Sequence, residues 1–418
     1  MPRVLVIEDQ QDIRTLLATV LEAAGLETAF AHDGVEGLAL LKQFRPDVVV
    51  LDLVMPKMLG YEVIQRIRSD VAMYRTPIVV LSAKTYATDQ RKALDMGATL
   101  FVTKPFVGKE FAELLLGILQ RTTVTFWGVR GSIAAPGPDT VRYGGNTPCV
   151  TVEYNGHMVI LDAGTGIRKL GIALQSAAGG KPLDLDLLVS HTHWDHIQGF
   201  PFFVPAFVPG NRLRVYGPRS PDKRLERVLR GQMDPEYFPV ALGDLAADIT
   251  VHEYHGEPWQ LGPFLVRASY LHHPGVTLGY RLEAPGLTIA YATDTEPYRS
   301  HLSASKPGDA EVLAFAKRCD EDLIALVRGA DVFIADAQYF PDEYVRKTGW
   351  GHSSYVDSVE LAIEAQVKHL VLFSHDPMHD DDKVDAKLAH CRAILAERGV
   401  DMTVSAAAEG VPLVLPAK

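Results

Sequence analysis

Cysteine is almost missing from this chain: its 418 residues contain three, at Cys149, Cys319 and Cys391. The number is odd and the spacing is not that of paired metal ligands, so neither a disulfide framework nor a Cys-based zinc site is predicted. Runs of 18 or more apolar residues are lacking, and the N-terminus has no basic segment followed by an apolar signal core. We therefore expect reduced thiols, no membrane span and a cytoplasmic location.

An excess of positive charge is lacking as well. Of the 41 Lys and Arg residues 27 follow position 121, together with 37 of the 52 Asp and Glu residues, so this part of the chain is net acidic. Long nucleic acids bind mainly because Lys and Arg neutralise their phosphates. The composition therefore disfavours long nucleic acid, tRNA included, as a substrate.

The sequence also lacks a flexible linker. The length exceeds what a single core usually holds. No Ser-, Gly- or Pro-rich stretch separates the helical run 109–121 from the β-like run that starts at Thr123. We predict two directly joined domains, residues 1–121 and residues 122–418, and the short join predicts rigid coupling between them.

One short segment is rich in metal-ligand side chains. Positions 191–196 place three imidazoles and a carboxylate in six residues, directly after the apolar run 185–190. A strand alternates its side chains with period two, so His191 and His193 leave the strand end on the same side, and the next turn brings Asp195 and His196 to a neighbouring point. Imidazole and carboxylate together suit zinc, manganese or iron. The spacing predicts two adjacent metal sites.

Further ligand-type residues stand where later strand-like runs end. These runs stop at His272-His273, at Asp294 and at His375. Strand ends gathered at one rim of a sheet are where α/β folds carry their chemistry. We expect these residues to join the histidine-rich segment, and the choice between His272 and His273 is open at this point.

Taken in order, and with Leu161-Asp162-Ala163-Gly164 ahead of them, these motifs resemble the metallo-β-lactamase fold hydrolases. The resemblance extends from about Thr123 to the C-terminus and implies an αββα sandwich. It favours His273 over His272 by the interval to Gly279-Tyr280-Arg281, and it makes Asp162 a residue that orients the metal-binding loop. The implied ligand sets are His191, His193 and His273 for one metal and Asp195, His196 and His375 for the other, with Asp294 bridging.

Two divalent ions about 3.5 to 4 Å apart lower the pKa of a shared water and neutralise phosphate oxygens. The leaving oxygen needs a proton, and His352 is the predicted general acid. Its segment, Gly351-His352-Ser353-Ser354, resembles the Gly-His-Ser-Thr motif of RNase Z and related phosphodiesterases. There the His works with an acidic residue, which corresponds here to Asp336, where relatives usually have the longer Glu. Asp195 is assigned to catalysis as well as to metal binding.

The predicted reaction is hydrolysis of a small phosphodiester, with a cyclic nucleotide as the first candidate. Two alternatives stay open. One is hydrolysis of a non-phosphate ester, a lactone or a thioester. The other is a di-iron redox or O₂-sensing module, although such proteins often have an acidic residue where this chain has His193.

The first 121 residues follow a different pattern. Short apolar runs at 3–7, 48–51, 78–81 and 100–102 alternate with amphipathic stretches, which predicts an α/β fold with a doubly wound parallel sheet. Acidic residues, a serine and a lysine follow these runs. Carboxylates at one sheet edge repel each other unless a hard cation such as Mg²⁺ lies among them. The pattern predicts a magnesium pocket.

This arrangement, with the segments Asp52-Leu53-Val54-Met55-Pro56 and Lys104-Pro105-Phe106, resembles the receiver domain of bacterial response regulators. The resemblance implies a (βα)5 fold, with Asp52 as the phosphoacceptor and a sensor histidine kinase as the phosphodonor. Phosphorylation would then control the hydrolase by changing how the receiver pairs, for example in a homodimer. The implied Mg²⁺ site comprises Glu8, Asp9, Asp52 and the Val54 carbonyl, and the switch comprises Ser82, Phe101 and Lys104.

Overall fold

A computed structural model describes residues 2–70, 73, 76–83, 87–119, 122–221, 223–298 and 310–415. The chain folds into two compact units, one built mainly by the chain up to Thr122 and the other by Thr123–Val414. None of the helices within these ranges has the length and apolar composition needed to cross a membrane.

The first unit is a five-stranded sheet in which every paired strand is parallel to its neighbour, in the order β2-β1-β3-β4-β5. A helix follows each strand. This is the doubly wound (βα)5 arrangement that the sequence predicts. The elements are β1 (Arg3–Ile7), α1 (Gln11–Ala23), β2 (Glu27–Ala31), α2 (Gly34–Phe44), β3 (Val48–Leu51), α3 (Gly60–Ser69), β4 (Ile78–Ser82), α4 (Ala87–Asp95), β5 (Leu100–Thr103) and α5 (Gly108–Leu119).

Helices on both faces explain why the inner strands are apolar throughout. Leu5 and Val49 pack into one hydrophobic cluster with α2 and α3, while their neighbours Val4 and Val48 pack into another with α1 and α5. A strand buried on both faces has no polar side, so it appears in the sequence as a continuous apolar run. The edge strand β2 has one buried residue, Ala31, and sequence reasoning missed it for that reason.

The second unit contains two seven-stranded sheets, in the orders β11-β10-β9-β8-β7-β6-β19 and β12-β13-β14-β15-β16-β17-β18. The strands are β6 (Thr122–Gly128), β7 (Cys149–Tyr154), β8 (His157–Leu161), β9 (Asp184–Leu188), β10 (Arg212–Gly217), β11 (Asp248–Glu253), β12 (Trp259–Leu261), β13 (Phe264–Leu271), β14 (Thr277–Ala284), β15 (Leu287–Ala292), β16 (Val332–Asp336), β17 (His369–Phe373), β18 (Thr403–Ala406) and β19 (Pro412–Leu415). The helices are α6 (Ile167–Ala178), α7 (Trp194–Ile197), α8 (Leu225–Gln232), α9 (Ala310–Val327), α10 (Pro341–Tyr344), α11 (Tyr355–Glu364) and α12 (Asp381–Arg398). Short 3₁₀ helices lie at Pro138–Thr140, Phe200–Phe202, Val204–Phe207 and Leu242–Asp244.

The two sheets lie face to face with helices outside, which is the predicted αββα sandwich. Helices α6 and α8 pack on the outer face of the first sheet, and α9, α11 and α12 pack on that of the second. Between the sheets, the rings of Phe126 and Phe373 lie 6.1 Å apart, centroid to centroid. The Tyr280 hydroxyl donates a hydrogen bond of 2.6 Å across the same interface to the Val189 carbonyl. These contacts tie the strand ends of the two sheets together.

Strand direction determines where the site forms. Strands β15, β16 and β17 are mutually parallel, and β13 runs the same way because it and β15 are both antiparallel to β14. Their carboxyl ends therefore share one rim of the sheet. The chain leaving β9 reaches this rim, since Ser190 accepts a backbone hydrogen bond of 2.9 Å from Leu278 at the start of β14.

Candidate functional site

The histidine-rich segment lies in a loop between β9 and the four-residue helix α7. The ring centroid of His191 is 4.6 Å from that of His193 and 4.2 Å from that of His196. The side chains of His191, Asp195 and His196 are buried, whereas His193 is exposed. The structure thus groups the three imidazoles around one point, as the spacing predicts.

His273 and Asp294, from the ends of β13 and β15, complete a cluster around that point. His273 Nε2 lies 3.0 Å from His193 Nδ1. Asp294 Oδ2 lies 3.1 Å from His196 Nε2 and 3.6 Å from His191 Nε2. Donor atoms within 4.8 Å of one another form one group from His191, His193 and His273 and another from His191, His196 and Asp294. His191 belongs to both groups, so they are adjacent, and His273, Asp294 and His352 form a third such group beside them.

Two further predicted positions resolve in opposite ways. Asp195 joins the cluster, because its Oδ2 lies 3.3 Å from His196 Nε2 while accepting a 2.7 Å hydrogen bond from the Ser132 amide. His272 turns away from it: its Nδ1 lies 3.0 Å from the Glu296 carbonyl and its ring stacks on Tyr298. The geometry therefore places His273, rather than His272, among the potential ligands.

His375 is the one predicted ligand that the structure does not bring to the cluster. Its Nε2 donates a 3.0 Å hydrogen bond to the Ala407 carbonyl, and its ring faces Tyr143. Backbone hydrogen bonds to Val129 and from Gly131 fix this orientation. The preceding residue, Ser374, has a positive φ of 55°, so the backbone turns there. As a result the Ser374 hydroxyl, and not the next imidazole, faces Asp294, with Oγ 3.5 Å from Asp294 Oδ1.

The electrostatics of the cluster suit divalent cations. His191 Nε2 is buried and has no hydrogen-bond partner within the described chain, which is expected of an atom aimed at an ion. Burial lowers the pKa of His191 well below its ordinary value, so the ring is neutral, the form that binds metals. Although burial raises the pKa of Asp294, the neighbouring His196 lowers it and keeps the carboxylate ionised. The side with His191, His193 and His273 fits a cation well. The other side, with Asp195, His196 and Asp294, lacks the His375 imidazole that the resemblance assigns to it.

Asp162 positions His196, in line with the orienting role that the resemblance implies. Its φ is +61°, and its fully buried carboxylate accepts four hydrogen bonds. Oδ1 accepts from the Ser190 amide at 2.7 Å. Oδ2 accepts from Ser190 Oγ at 2.8 Å, His196 Nδ1 at 2.8 Å and the Tyr291 hydroxyl at 2.7 Å. The bond to Nδ1 leaves His196 Nε2 facing Asp294.

His352 and Asp336 form a buried pair beside the cluster. His352 Nδ1 lies 2.8 Å from Asp336 Oδ2, so the shorter acidic side chain does reach the imidazole. The ring centroids of His352 and His273 are 5.0 Å apart. Although burial lowers the pKa of His352, the carboxylates of Asp336 and Asp294 raise it to about 9. These two carboxylates therefore favour the protonated form of His352.

Sequence reasoning missed Glu296, which holds the loop that carries His352. This carboxylate is buried and accepts hydrogen bonds from the Tyr344 hydroxyl at 2.7 Å and from the Gly351 amide at 3.0 Å. The Gly351 carbonyl in turn lies 2.7 Å from His273 Nδ1. An acidic residue two positions after Asp294 gave no signal of this role, because most of its partners are backbone amides, which carry no sequence signature.

The cluster opens into a cleft of about 520 Å³. Trp194 lines it with 78% of its surface exposed. An exposed indole beside buried ligand atoms offers a flat apolar surface to a bound molecule. The remaining residues of the wall are Ser132, Thr192, His193, Asp195, Asp294 and His352.

The receiver pocket lies at the carboxyl ends of the first sheet. Lys104 Nζ is 2.6 Å from Asp52 Oδ2 and 2.7 Å from Glu8 Oε2. Glu8, Asp9 and Asp52 offer oxygens within 4.8 Å of one another, and Asp9 Oδ1 is buried without a hydrogen-bond partner in the described chain. Although burial lowers the pKa of Lys104, its bonds to Asp52 and Glu8 raise it. The pocket has the charges needed to hold a divalent cation and a phosphoryl group.

The other predicted receiver residues lie after β3, at the end of β4 and in β5. The Val54 amide donates a 3.0 Å hydrogen bond to Asp52 Oδ1, so the loop that carries the Val54 carbonyl is tied to the phosphoacceptor position. Ser82 ends β4 and is fully buried. Phe101 lies in β5 and is buried in the core.

Fold and site together define a receiver domain followed by a domain with the metallo-β-lactamase fold. Residues 4–116 match the family described as the response regulator receiver domain. Residues 157–375, more than half of the 418, match the beta-lactamase superfamily domain. The chain therefore belongs to the beta-lactamase superfamily and has an N-terminal receiver. Both kinds of domain imply divalent metal ions.

Individual relatives resemble one domain at a time. The chain is 38% identical over 122 residues to the DNA-binding dual master transcriptional regulator RpaA of Synechocystis sp., a match that covers 29% of this chain and 51% of that protein. The chain thus spans about half the length of this curated relative. Among solved structures it is similar to a diphosphatase of the PhnP family, with 21% identity, a TM-score of 0.46 and coverage of 70% of this chain and 97% of the other. It is also similar to the metallo-β-lactamase fold protein YhfI of Bacillus subtilis, with 18% identity, a TM-score of 0.46 and coverage of 71% and 100%.

Proposed function

We propose that this protein is a response regulator whose output domain is a metal-dependent phosphodiesterase for small phosphodiesters. The observation that carries the proposal is the His352–Asp336 pair, which borders the same cleft as the ligand cluster. A cluster of ligands alone suits many reactions, but a protonated imidazole beside it suits those with a leaving oxygen. Residues 1–121 and 122–418 are the proposed limits of the two domains.

The cluster would hold two divalent ions, for which zinc, manganese and iron are all suitable. Bound there, such ions supply a water of lowered pKa and neutralise the charge of a phosphate. His191, His193 and His273 would hold one ion, and Asp195, His196 and Asp294 would hold the other. Asp195 also accepts the Ser132 amide hydrogen bond, which fixes its carboxylate at the mouth of the cleft.

His352 would donate the proton to the leaving oxygen. Its Nδ1 is engaged by Asp336, so the proton available for transfer is the one on Nε2. The same carboxylate stabilises the imidazolium form, which explains why the pKa of His352 is raised to about 9 although burial lowers it. Asp336 is thus a positioning residue and His352 the acid.

The cleft favours a compact substrate with a planar group. Its volume of about 520 Å³ falls within the usual range for small-molecule sites, roughly 300–1,000 Å³. Trp194 can stack on a nucleobase, a contact worth about 1–3 kcal/mol. The acidic excess after position 121 repels long polyanions. A cyclic nucleotide is therefore our first choice of substrate.

The test is a substrate panel. The purified full chain, loaded with Mn²⁺ or Zn²⁺, is assayed against 3′,5′- and 2′,3′-cyclic nucleotides, bis(p-nitrophenyl) phosphate, a lactone and a thioester. We expect turnover of phosphodiesters that is lost in His193→Ala. His352→Ala is expected to lower kcat by about 10²–10⁴-fold, with the largest effect on substrates whose leaving group is a poor one.

His369→Ala is the matched control. This histidine begins β17, five residues before Ser374, and a strand of that length separates it from the site by about 16 Å. It should leave turnover unchanged. Hydrolysis confined to the lactone or thioester, or a visible spectrum with tightly held iron and no hydrolysis, would contradict the phosphodiesterase proposal.

The receiver would control this activity through phosphorylation of Asp52 by a sensor histidine kinase. The support is the pocket itself: a buried acceptor carboxylate, a lysine 2.6 Å away and neighbouring acidic oxygens for Mg²⁺. Kinetics and oligomeric state are to be compared with and without beryllofluoride and Mg²⁺, in wild type and in Asp52→Asn. We expect wild type alone to respond. Identical values in both states would reject the regulatory role.

A further inference from the structure

The feature that carries a further inference is a chain of polar contacts on the carboxylate side of the cluster. It begins at Asp195 Oδ2, which accepts the Ser132 amide at 2.7 Å. The Gln338 side-chain amide lies 3.4 Å from Ser132 Oγ. Gln338 Oε1 is 3.5 Å from Ser374 Oγ, which is 3.5 Å from Asp294 Oδ1. The chain of contacts therefore runs from one carboxylate of the cluster to the other.

These residues lie where the family resemblance would place the last of the seven predicted ligands, the imidazole of His375. The strand end of β17 places Ser374 there, fully buried, and directs the His375 ring to the Ala407 carbonyl. Space is made for the Ser374 side chain by Gly131, where a Cβ atom would lie 2.5 Å from Ser374 Oγ. Hydroxyl and amide oxygens thus replace an imidazole on this side.

The two sides of the cluster consequently differ in donor chemistry. One side presents three imidazoles, among them the buried His191 Nε2, which has no hydrogen-bond partner among the described residues. The other presents a single imidazole, His196, with the oxygens of Asp195 and Asp294. Nitrogen-rich sites favour zinc and similar ions, whereas oxygen-rich sites favour manganese and magnesium and bind them more weakly.

We propose that this protein has an asymmetric metal pair: a tight site at His191, His193 and His273, and a weaker, hard-cation site at Asp195, His196 and Asp294 whose open side is closed by Ser374 and Gln338. This inference rests on the proposed function to the extent that both take the cluster as a cation site. It differs in assigning unequal affinities to the two sites and in assigning roles to Ser374 and Gln338.

The experiment measures metal content. Full-length wild type is loaded with Zn²⁺ and Mn²⁺ together, dialysed against increasing chelator and analysed for bound metal by mass spectrometry. We expect one Zn²⁺ per second domain to persist at chelator concentrations that have already removed the Mn²⁺. Two ions lost together, or two zinc ions retained equally, would overturn the asymmetry.

Two variants test the residue assignment. Ser374→His supplies the missing imidazole and should tighten the weaker site by about 10–100-fold, the size of effect usual for changes next to a metal. Ser374→Asp adds a smaller ligand and should strengthen Mn²⁺ retention if the larger ring does not fit. Failure of both folded variants to change retention would overturn the role of this position.

His375→Gln is the matched control, because a glutamine amide can still donate to the Ala407 carbonyl. We expect metal content equal to that of wild type, with folding checked by circular dichroism. Loss of one ion in a folded variant would show that His375 is a ligand and would overturn the proposal. These readouts do not depend on turnover, so an inactive chain with one tight and one weak ion would reject the proposed function alone.

Discussion

Asp162→Asn tests the organisation of the site most directly. Asp162 Oδ2 accepts hydrogen bonds from His196 Nδ1, Ser190 Oγ and the Tyr291 hydroxyl, and Oδ1 accepts one from the Ser190 amide. Asparagine has nearly the same shape and tolerates a positive φ better than most residues do, so it fits the φ of +61° at this position. The substitution therefore changes the hydrogen-bonding chemistry and leaves the backbone in place.

The magnitude follows from counting acceptors. An amide has one acceptor oxygen where the carboxylate has two. In its better orientation that oxygen serves the three donors at Oδ2, and the new NH₂ group faces the buried Ser190 amide. One buried donor without an acceptor costs about 1–3 kcal/mol. The bond to His196 also loses its charge, and outer partners of ligating histidines contribute about 10–100-fold to metal affinity.

We therefore expect Asp162→Asn to lower the free energy of unfolding by about 1–3 kcal/mol and to weaken metal binding beside His196 by about 10–100-fold. Urea unfolding and metal titration by calorimetry measure the two effects. Asp186→Asn is the matched control, because this buried carboxylate on β9 is paired with Arg214 and has no contact with the cluster. It should lose stability but not metal. Wild-type metal affinity in Asp162→Asn, or an equal loss in the control, would refute the reasoning.

Three other substitutions have defined outcomes. Gly60→Ala puts a Cβ 2.4 Å from the Asp52 carbonyl oxygen and should lower the free energy of unfolding of the receiver unit by about 1–3 kcal/mol in urea. Gly117→Ala is the control, because a Cβ there meets nothing within 4 Å among the described residues. Equal stability of the two variants would contradict the packing argument. Lys104→Met removes the cation 2.6 Å from Asp52 and should weaken beryllofluoride binding, measured by calorimetry, by about tenfold or more. Lys57→Met, at an exposed lysine, should bind beryllofluoride normally. Unaltered binding in Lys104→Met would contradict the role of Lys104 in the phosphoryl pocket. For Glu343, burial raises the pKa, but hydrogen bonds from the Phe340 amide and His379 lower it from 4.5 to about 2. Because the pKa is lower in the folded state, wild type should be more stable than Glu343→Gln above pH 4.5, by about 1 kcal/mol after solvent screening. This stability difference should vanish as the pH falls towards 2. The same difference in thermal unfolding at pH 7 and pH 3 would disprove it.

Much of the fold could be predicted because burial leaves a pattern in the sequence. Strands β1 and β3 are covered on both faces and appear as apolar runs, so the parallel sheet follows from them. His273 and Asp294 could be predicted to join the 191–196 segment because both follow strand ends, and the carboxyl ends of parallel strands lie at one rim of a sheet. The weakly buried edge strand β2 carries no such pattern.

The part of the site that could not be predicted depends on single dihedral angles and on backbone partners. The φ of 55° at Ser374 decides which of two adjacent side chains faces Asp294, and residue types do not reveal it. The role of Glu296 depends on amides of a loop more than fifty positions away. The reach of Asp336 to His352 depends on the position of β16 relative to that loop, which the shorter side chain alone does not disclose.

The Glu296 contacts have a consequence for how the residues of the candidate site are held. One carboxylate, two residues after Asp294, anchors the glycine loop that holds His273 through a carbonyl and leads directly into His352. His352, His273 and Asp294 are therefore connected through one buried side chain. Exchange of this loop with that of another protein of the same fold would have to carry the segment around Glu296 with it.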